Sequence, residues 1–326
     1  MTVEGAHDLP ARPSPPLDVI VSECLLGAPV RYDGDHKRSR LPHDRLARLF
    51  TLRGVCPEVG IGLGVPREPI RLVGAIDAPR AVSVADPNFD VTDRLREFAR
   101  DRDVGLANVA GCVLMERSPS CGLFGVKVFP EGGGAPTEAG RGVFADALAR
   151  RHPLLPMEDC GRLFDADIRE SFIERVFAYA HWRALLAAGL SARRLTAFHA
   201  AYKYLLMAHS VAHYRDAGRL LSDLSRDVEG IAGRYAAVLL AGLARPADRG
   251  GHANALMHLQ GHVSGAIAAA ERAALTGAID AYRRGEVERD VPLEMLTRLL
   301  ERDPDRYALD QVYLKSHPSP AGPARG

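Results

Sequence analysis

The stretch LDVIVSECLLGAPVRYDGDHK, residues 17–37, sets the reading of the N-terminal half of the chain. A mostly apolar run, LDVIV, stops just short of Cys24, and a charged loop bearing Gly27 and Gly34 follows. A cysteine where a buried strand empties into a polar loop is either a small hydrophobe or a ligand delivered to a rim. Two further segments repeat the placement: LRGVCPE puts Cys56 at the end of an apolar run, and VAGCVLMERSPSCG puts Cys121 a short turn beyond one. These runs alternate with stretches of helical spacing, HDRLARLF and VTDRLREFARD, and with Gly/Pro loops. Strands alternating with helices predict an α/β domain with an open, largely parallel sheet over residues 17–165. Ligands of such sheets bind beyond the carboxyl ends of the strands. If the three runs are neighbouring strands, the three thiols converge over one edge.

From residue 166 the texture changes. IRESFIERVFAYAHWRALLAAG, SARRLTAFHAAYKYLLMAHSVAHYRDAG and ALMHLQGHVSGAIAAAERAALTGAIDAYRRGE carry apolar residues three and four apart and are closed by glycine. An all-α domain is expected over residues 166–316. The Pro-rich ends, residues 1–16 and 317–326, read as disordered tails. The 326 residues carry 42 basic and 41 acidic side chains, a net charge of +1, so any nucleic-acid contact has to be a local patch. No apolar run approaches the roughly 20 residues of a membrane span, and no membrane partner is expected. Five cysteines, an odd number, and the lack of a secretory signal fit a cytoplasmic protein with reduced thiols.

Three soft thiolates could hold an iron–sulfur cluster, or a zinc ion with an open position. Cys112, inside VAGCVLM, and Cys160 read as structural. Glu58 follows Cys56 by two residues and could move protons beside a metal centre; Ser118 and Ser120 precede Cys121 and could orient a carbonyl or thiocarbonyl. Each also has a plain structural role open to it, as a first-turn acid or a turn hydroxyl. Arg31 and Asp33, in RYDGDHKRSR, could fasten a phosphate or simply decorate a surface loop. The pairs His209/His213 and His258/His262 have the spacing of one helix face but lack the neighbouring glutamate of a zinc helix, and read as core or surface histidines. Lys203, with His199 and Tyr204, could meet RNA on the helical domain.

The motifs VSECLLGAPVRYDGDHK, VCPEVGIGLGVPREP and MERSPSCG together resemble the thiouracil desulfidase (TudS) domain. LTAFHAAYKYLLMAHSVAHYRDAGR, HANALMHLQGH and VPLEMLTRLLERDPDRYALDQVYL resemble the helical YbgA-type domain, and the fusion resembles the RudS desulfidases of 4-thiouridine in tRNA. The resemblance implies a 4Fe-4S cluster held by Cys24, Cys56 and Cys121 with one open iron, and catalytic roles for Glu58 and Ser118. From physical chemistry the expected reaction is non-redox and hydrolytic: the open iron takes the soft thiocarbonyl sulfur and water attacks the ring carbon. Arg31, Asp33, Ser120 and Lys203 stand as substrate contacts. The expected partner is tRNA. Free 2-thiouracil or another small thionucleobase is the alternative substrate, and a non-catalytic iron–sulfur or zinc RNA-binding regulator is the alternative of another class. Glu23 stands where a small residue is more usual in the family, and the end, YLKSHPSP, departs from its usual form.

Overall fold

The computed structural model describes residues 9–101, 106, 108–224, 227–263, 265, 267–302 and 304–315. It divides into two units: residues 13–172, and residues 173–315 together with residues 9–12.

In the first unit β1 (Leu17–Ser22) lies between β2 (Phe50–Val55) and β5 (Val109–Leu114), and β5 pairs onward with β8 (Met157–Asp159). All three pairings are parallel, with Ser22 level with Val55 and Val21 with Val113. The sheet predicted from the sequence is therefore present, with the three runs adjacent in the order β2-β1-β5. β1 and β5 read as near-continuous apolar runs because both their faces are covered, as parallel strands require. Val19, Val21 and Val113 are fully enclosed, each worth roughly 1.5–3 kcal/mol against exposure. β2, at the edge, carries Arg53, which pairs with Asp18 of β1 at 2.5 Å.

A second sheet, absent from the reading of the sequence, runs β4-β3-β6-β7: β3 (Ile70–Val73), β4 (Arg80–Ser83), β6 (Val126–Phe129) and β7 (Thr137–Gly140). Its pairings are antiparallel except β3 with β6. Ile70, Leu72, Val126 and Val128 form a core with Leu95 of α2 (Thr92–Asp101) and Val143, the first residue of α3 (Val143–Arg151). HDRLARLF, expected to be a helix, gives only a single π-helical turn, Pro42–Leu46, before β2 begins at Phe50. A four-residue helix, α1 (Pro57–Gly60), follows β2 directly and is capped by Cys56.

The second unit is helical. α4 (Ala166–Ala187) contains the boundary between the units, and is followed by α5 (Ala192–His209), α6 (Val211–Leu221), α7 (Val228–Leu243), α8 (Arg249–Gln260), α9 (Ala269–Arg284), α10 (Asp290–Arg302) and α11 (Arg306–Leu309). The long AFHAAYKYLLMAHSVAHYRD pattern is broken at Ser210, which leaves helical geometry and caps α6. Phe198 and Tyr202 stack at 4.5 Å, and Trp182 and Tyr235 complete an aromatic core. Of the stretch expected to be an N-terminal tail, residues 1–8 lie outside the described residues. Residues 9–12 belong to this unit, with the Pro10 carbonyl accepting from His181 Nε2 at 3.0 Å. The C-terminal tail lies outside the described residues.

Two histidines of this unit are buried as neutral rings, and their partners show why. His181 donates through Nε2 to a carbonyl and accepts at Nδ1 from the Tyr202 hydroxyl, 3.1 Å away; burial pushes its pKa down to about 4. His252 bonds the Tyr313 hydroxyl through Nδ1 at 3.1 Å and faces Arg289 through Nε2, also at 3.1 Å; burial, then Arg289, pushes it down to about 3. The unfolded chain takes up these protons near pH 6.5, so stability is complete above that pH and falls as pH drops toward 4. The expected slope is about 1.4 kcal/mol per pH unit for each histidine. Glu174 adds to the loss between pH 4.5 and about 2, because its carboxylate, buried yet bonded at 2.7 Å to His209, has a depressed pKa. Urea titrations at stepped pH, read by the fluorescence of Trp182, the chain's one tryptophan, check this.

Candidate active site

Each of the three parallel strands β2, β1 and β5 hands its chain to a loop that carries a cysteine. Cys24 lies in a 3-10 turn, Glu23–Leu26, immediately after β1, and its carbonyl accepts from Lys37 N at 2.9 Å. The turn closes on Gly27 at φ +95°, a left-handed conformation natural to glycine. Cys56 caps α1, and its Sγ lies 3.7 Å from the Val30 carbonyl. Cys121 sits in the loop Ser118–Gly122. Ser118 Oγ accepts from the amides of Ser120 and Cys121 at 3.2 and 3.1 Å, and Gly122 N returns to the Ser118 carbonyl.

The first amides of α3 lock this loop in place. Gly142, Val143 and Ala145 donate to the carbonyls of Gly122, Pro119 and Ser120 at 2.8, 3.0 and 3.1 Å. A Cβ on Gly142 would come within 2.5 Å of the Ser120 carbonyl atoms and 2.7 Å of Cys121 N. Gly142→Ala is therefore expected to cost about 1–3 kcal/mol by overpacking and to open the buried Cys121 thiol to alkylation. Thermal melts and mass spectrometry after treatment with a thiol reagent measure both effects.

The three cysteines line one cleft of about 250 Å³, together with Glu23, Arg31, Tyr32, Glu58, Arg67, Glu116, Arg117 and Ser118. Burial raises all three thiols, Cys24 to about 11, and their charges are mutually felt: Cys56 raises Cys24, and Glu58, Cys56 and Cys24 raise Cys121. The Ser22 hydroxyl works the other way on Cys121 and also accepts Met115 N at 2.9 Å. Three enclosed thiolates beside a carboxylate repel one another, so the set becomes favourable once a multiply charged cation neutralises it. Among the described residues no three His, Cys, Asp or Glu side chains are drawn together around a single metal ion. Three separate thiols ringing a cavity suit a polynuclear group better than a point ion, and an iron–sulfur cluster fits these residues.

Glu58 is the most constrained group in the cleft. Its Oε2 accepts from Arg67 Nε and Nη2 at 2.9 and 2.7 Å, and its Oε1 from the Ser120 hydroxyl at 2.6 Å. Arg67 and Glu58 keep only 6% and 14% of their side-chain surface exposed. Arg67 also donates to the Gly64 carbonyl at 2.9 Å, and its amide to Tyr32 O at 2.8 Å. Gly62 and Gly64, at φ +80° and +76°, turn the chain so that Arg67 comes back over α1. Arg67 and Ser22 were not picked out from the sequence. The one signal for Arg67 is its place at the end of a glycine-rich loop that starts from Glu58.

The remaining predicted residues divide. Arg31 and Ser118 line the cleft, Ser120 reaches Glu58 from behind the loop, and Asp33 stays outside. Asp33 is engaged within its own loop, pairing with Arg31 at 2.9 Å and accepting Asp35 N. Lys203 belongs to the helical unit. Arg117, exposed at the cleft, is the one described residue other than glycine with a left-handed backbone, φ +57°. Cys112 is buried within β5, where burial pushes its thiol to about 12. Cys160 follows β8 as the other cysteines follow their strands, yet it does not line the cleft; its Sγ lies 3.5 Å from Ser39 Oγ. The histidine pairs are engaged with protein groups: His209 with Glu174, His213 with Ser210 at 2.8 Å, and His262 with Asp305 at 2.8 Å.

Residues 19–160 match the family model "2-thiouracil desulfurase", and residues 203–318 match "Protein of unknown function (DUF1722)". The YbgA protein of Escherichia coli K12 is 31% identical over 151 residues, covering 46% of this chain and 89% of that protein. The YbbK protein of Bacillus subtilis 168 is 32% identical over 114 residues, 32% of this chain and 72% of that protein. A solved structure of a [4Fe-4S]-dependent thiouracil desulfidase, TudS, is 32% identical, covering 45% of this chain and 93% of that one, with a TM-score of 0.36. The chain belongs to the 2-thiouracil desulfurase family. It is a two-part member, with the desulfurase domain fused to a helical domain of the YbgA type.

Proposed function

We propose that the chain is an iron–sulfur-dependent desulfidase that converts 4-thiouridine in tRNA to uridine with release of sulfide. The observation that carries this reading is the delivery of Cys24, Cys56 and Cys121 into one cleft by three adjacent parallel strands, with Glu58 beside them. Membership of the 2-thiouracil desulfurase family supports the bond that is broken, and the attached helical domain supports a macromolecular substrate.

A 4Fe-4S cluster held by the three cysteines supplies, when bound, an iron without a protein ligand as a soft Lewis acid for the thiocarbonyl sulfur. The overall change, C=S plus water to C=O plus hydrogen sulfide, moves no net electrons. Glu58 is placed to handle its protons. Arg67 occupies Oε2 with two N–H groups, which fixes the carboxylate plane and leaves Oε1 to take the proton of the attacking water. Ser120, donating to Oε1 at 2.6 Å from outside the cleft, holds that oxygen in position. Ser118 spends its oxygen on two backbone amides and keeps its own O–H to donate to the pyrimidine.

The family's own description favours a second substrate, free 2-thiouracil, for the same chemistry. Anaerobically reconstituted protein incubated with thiolated tRNA and with 2-thiouracil, followed by loss of thiocarbonyl absorbance and by sulfide release, separates the readings. Turnover of tRNA is the expected result. Turnover of the free base alone replaces it with the second reading, and turnover of neither points to a regulator that binds without reacting.

A further inference from the structure

Lys203 stands on α5 with its ammonium half-buried. Its Nζ lies 4.5 Å from the ring centroid of Tyr204 and 4.8 Å from that of Tyr307. Among the described residues it donates no hydrogen bond and pairs with no carboxylate. Partial loss of hydration without a protein acceptor costs the ammonium some free energy, and two aromatic faces offset part of that cost. Burial accordingly pulls the ammonium's pKa below its usual value. A neutral side chain would fill the same place without that penalty.

The two rings that hold the lysine are themselves pinned. The Tyr204 hydroxyl lies 2.9 Å from His262 Nε2, and His262 Nδ1 lies 2.8 Å from Asp305 Oδ2. Asp305 Oδ1 caps α11, accepting Ala308 N at 3.1 Å, and Tyr307 lies in that helix's first turn. Asp305 is therefore committed to an imidazole and a helix end rather than to Lys203. Flat groups surround it. His199 and Tyr214 lie parallel within 8° with centroids 6.2 Å apart, and His258 lies 6.4 Å from Tyr204. His199, its pKa pushed to about 4 by burial and by Lys203, is a neutral ring at physiological pH, suited to stacking rather than to pairing with an anion.

We propose that Lys203 and the rings around it form a phosphate seat for an RNA strand: the ammonium takes one phosphodiester, and Tyr214 with His199 offers a stacking face to an adjoining base. The proposal rests on the tRNA reading above and supplies its anchoring point on the helical domain. An acidic protein partner would use the lysine equally well but would leave the ring faces unused.

The test is the affinity of the full-length, cluster-loaded chain for tRNA over a series of salt concentrations, in wild type, Lys203→Gln, Lys203→Arg and Tyr214→Ala. Lys203→Gln is expected to weaken binding and to reduce the slope of log affinity against log salt by about 0.7–0.9, the share of one phosphate. Lys203→Arg retains the slope. Tyr214→Ala weakens binding roughly fivefold or more and leaves the slope alone. Thermal melts should show Lys203→Gln at least as stable as wild type, since a partly desolvated charge without a carboxylate partner has been removed. Wild-type binding with an unchanged slope in Lys203→Gln overturns the phosphate seat while leaving the tRNA reading intact. Failure of the wild type to bind tRNA overturns both. Displacement of tRNA by poly-glutamate as readily as by an unmodified RNA of equal charge overturns the seat in favour of an acidic protein.

Discussion

Replacing Cys24, Cys56 or Cys121 singly with alanine is expected to abolish the brown absorbance of the proposed cluster and the desulfidase turnover together, while Cys112→Ala and Cys160→Ala should keep both. The asymmetry follows from where the strands end. Cys24 and Cys56 leave neighbouring parallel strands at the same level, Ser22 being paired with Val55, and Cys121 is brought to the same cleft by the loop that α3 holds down. On the proposed reading three protein thiolates are the whole of the ligand set, so each loss would leave two, too few to hold the group rigidly. Cys112 is enclosed in the middle of β5, and its deletion costs packing only. Cys160 is the demanding control, because it follows a fourth parallel strand in the same manner. Its neighbours are Ser39 Oγ and, through its amide, the Leu114 carbonyl, and it takes no part in the cleft. Iron per chain, visible absorbance and turnover are measured for all five variants. Loss of iron from Cys160→Ala would overturn the three-cysteine set, and a colourless but active Cys24→Ala would overturn the cluster's role.

The contrast between these cysteines shows what could be read before the structure was known. LDVIV beyond Asp18 and VAGCVL are apolar on both faces, so their burial and parallel pairing were legible, and with them the convergence of Cys24, Cys56 and Cys121. The strands IRLV, RAVS, VKVF and TEAG are four residues long, too short for a period to stand out, and the second sheet was missed. HDRLARLF has helical spacing, but the chain leaves its one helical turn at Leu46 to enter β2, so a tertiary pairing overrode a local pattern. Arg67 was hidden for another reason. Nothing in the eight residues between Glu58 and Arg67 says that two left-handed glycines will fold an arginine back onto Glu58. The same holds for Asp305, His262 and Tyr204, which are distant in sequence and meet only in the fold. Periodicity reports which face of a helix is buried, not which acid waits opposite a histidine.

Glu58→Gln is expected to lower kcat by about 10²–10⁴-fold, the span of a lost general acid–base group, while iron content and visible absorbance stay at wild-type levels. The amide matches the carboxylate in shape and can still accept from Ser120, so the cleft keeps its form but loses its proton acceptor. The substitution also strands the Arg67 guanidinium, which is 6% exposed and bonded to Glu58 at 2.7 and 2.9 Å. An unpaired buried charge costs roughly 3–5 kcal/mol, so the melting temperature should fall as well. A fall in activity could then be blamed on a loosened fold. The double variant Glu58→Gln/Arg67→Met removes the stranded charge, and its stability should move back toward wild type. Its kcat should not. If turnover recovers together with stability, Glu58 serves only to hold Arg67 and the loop in place, and proton transfer lies elsewhere. If the melting temperature recovers and turnover stays low, the carboxylate is the proton carrier and Arg67 is the residue that aims it.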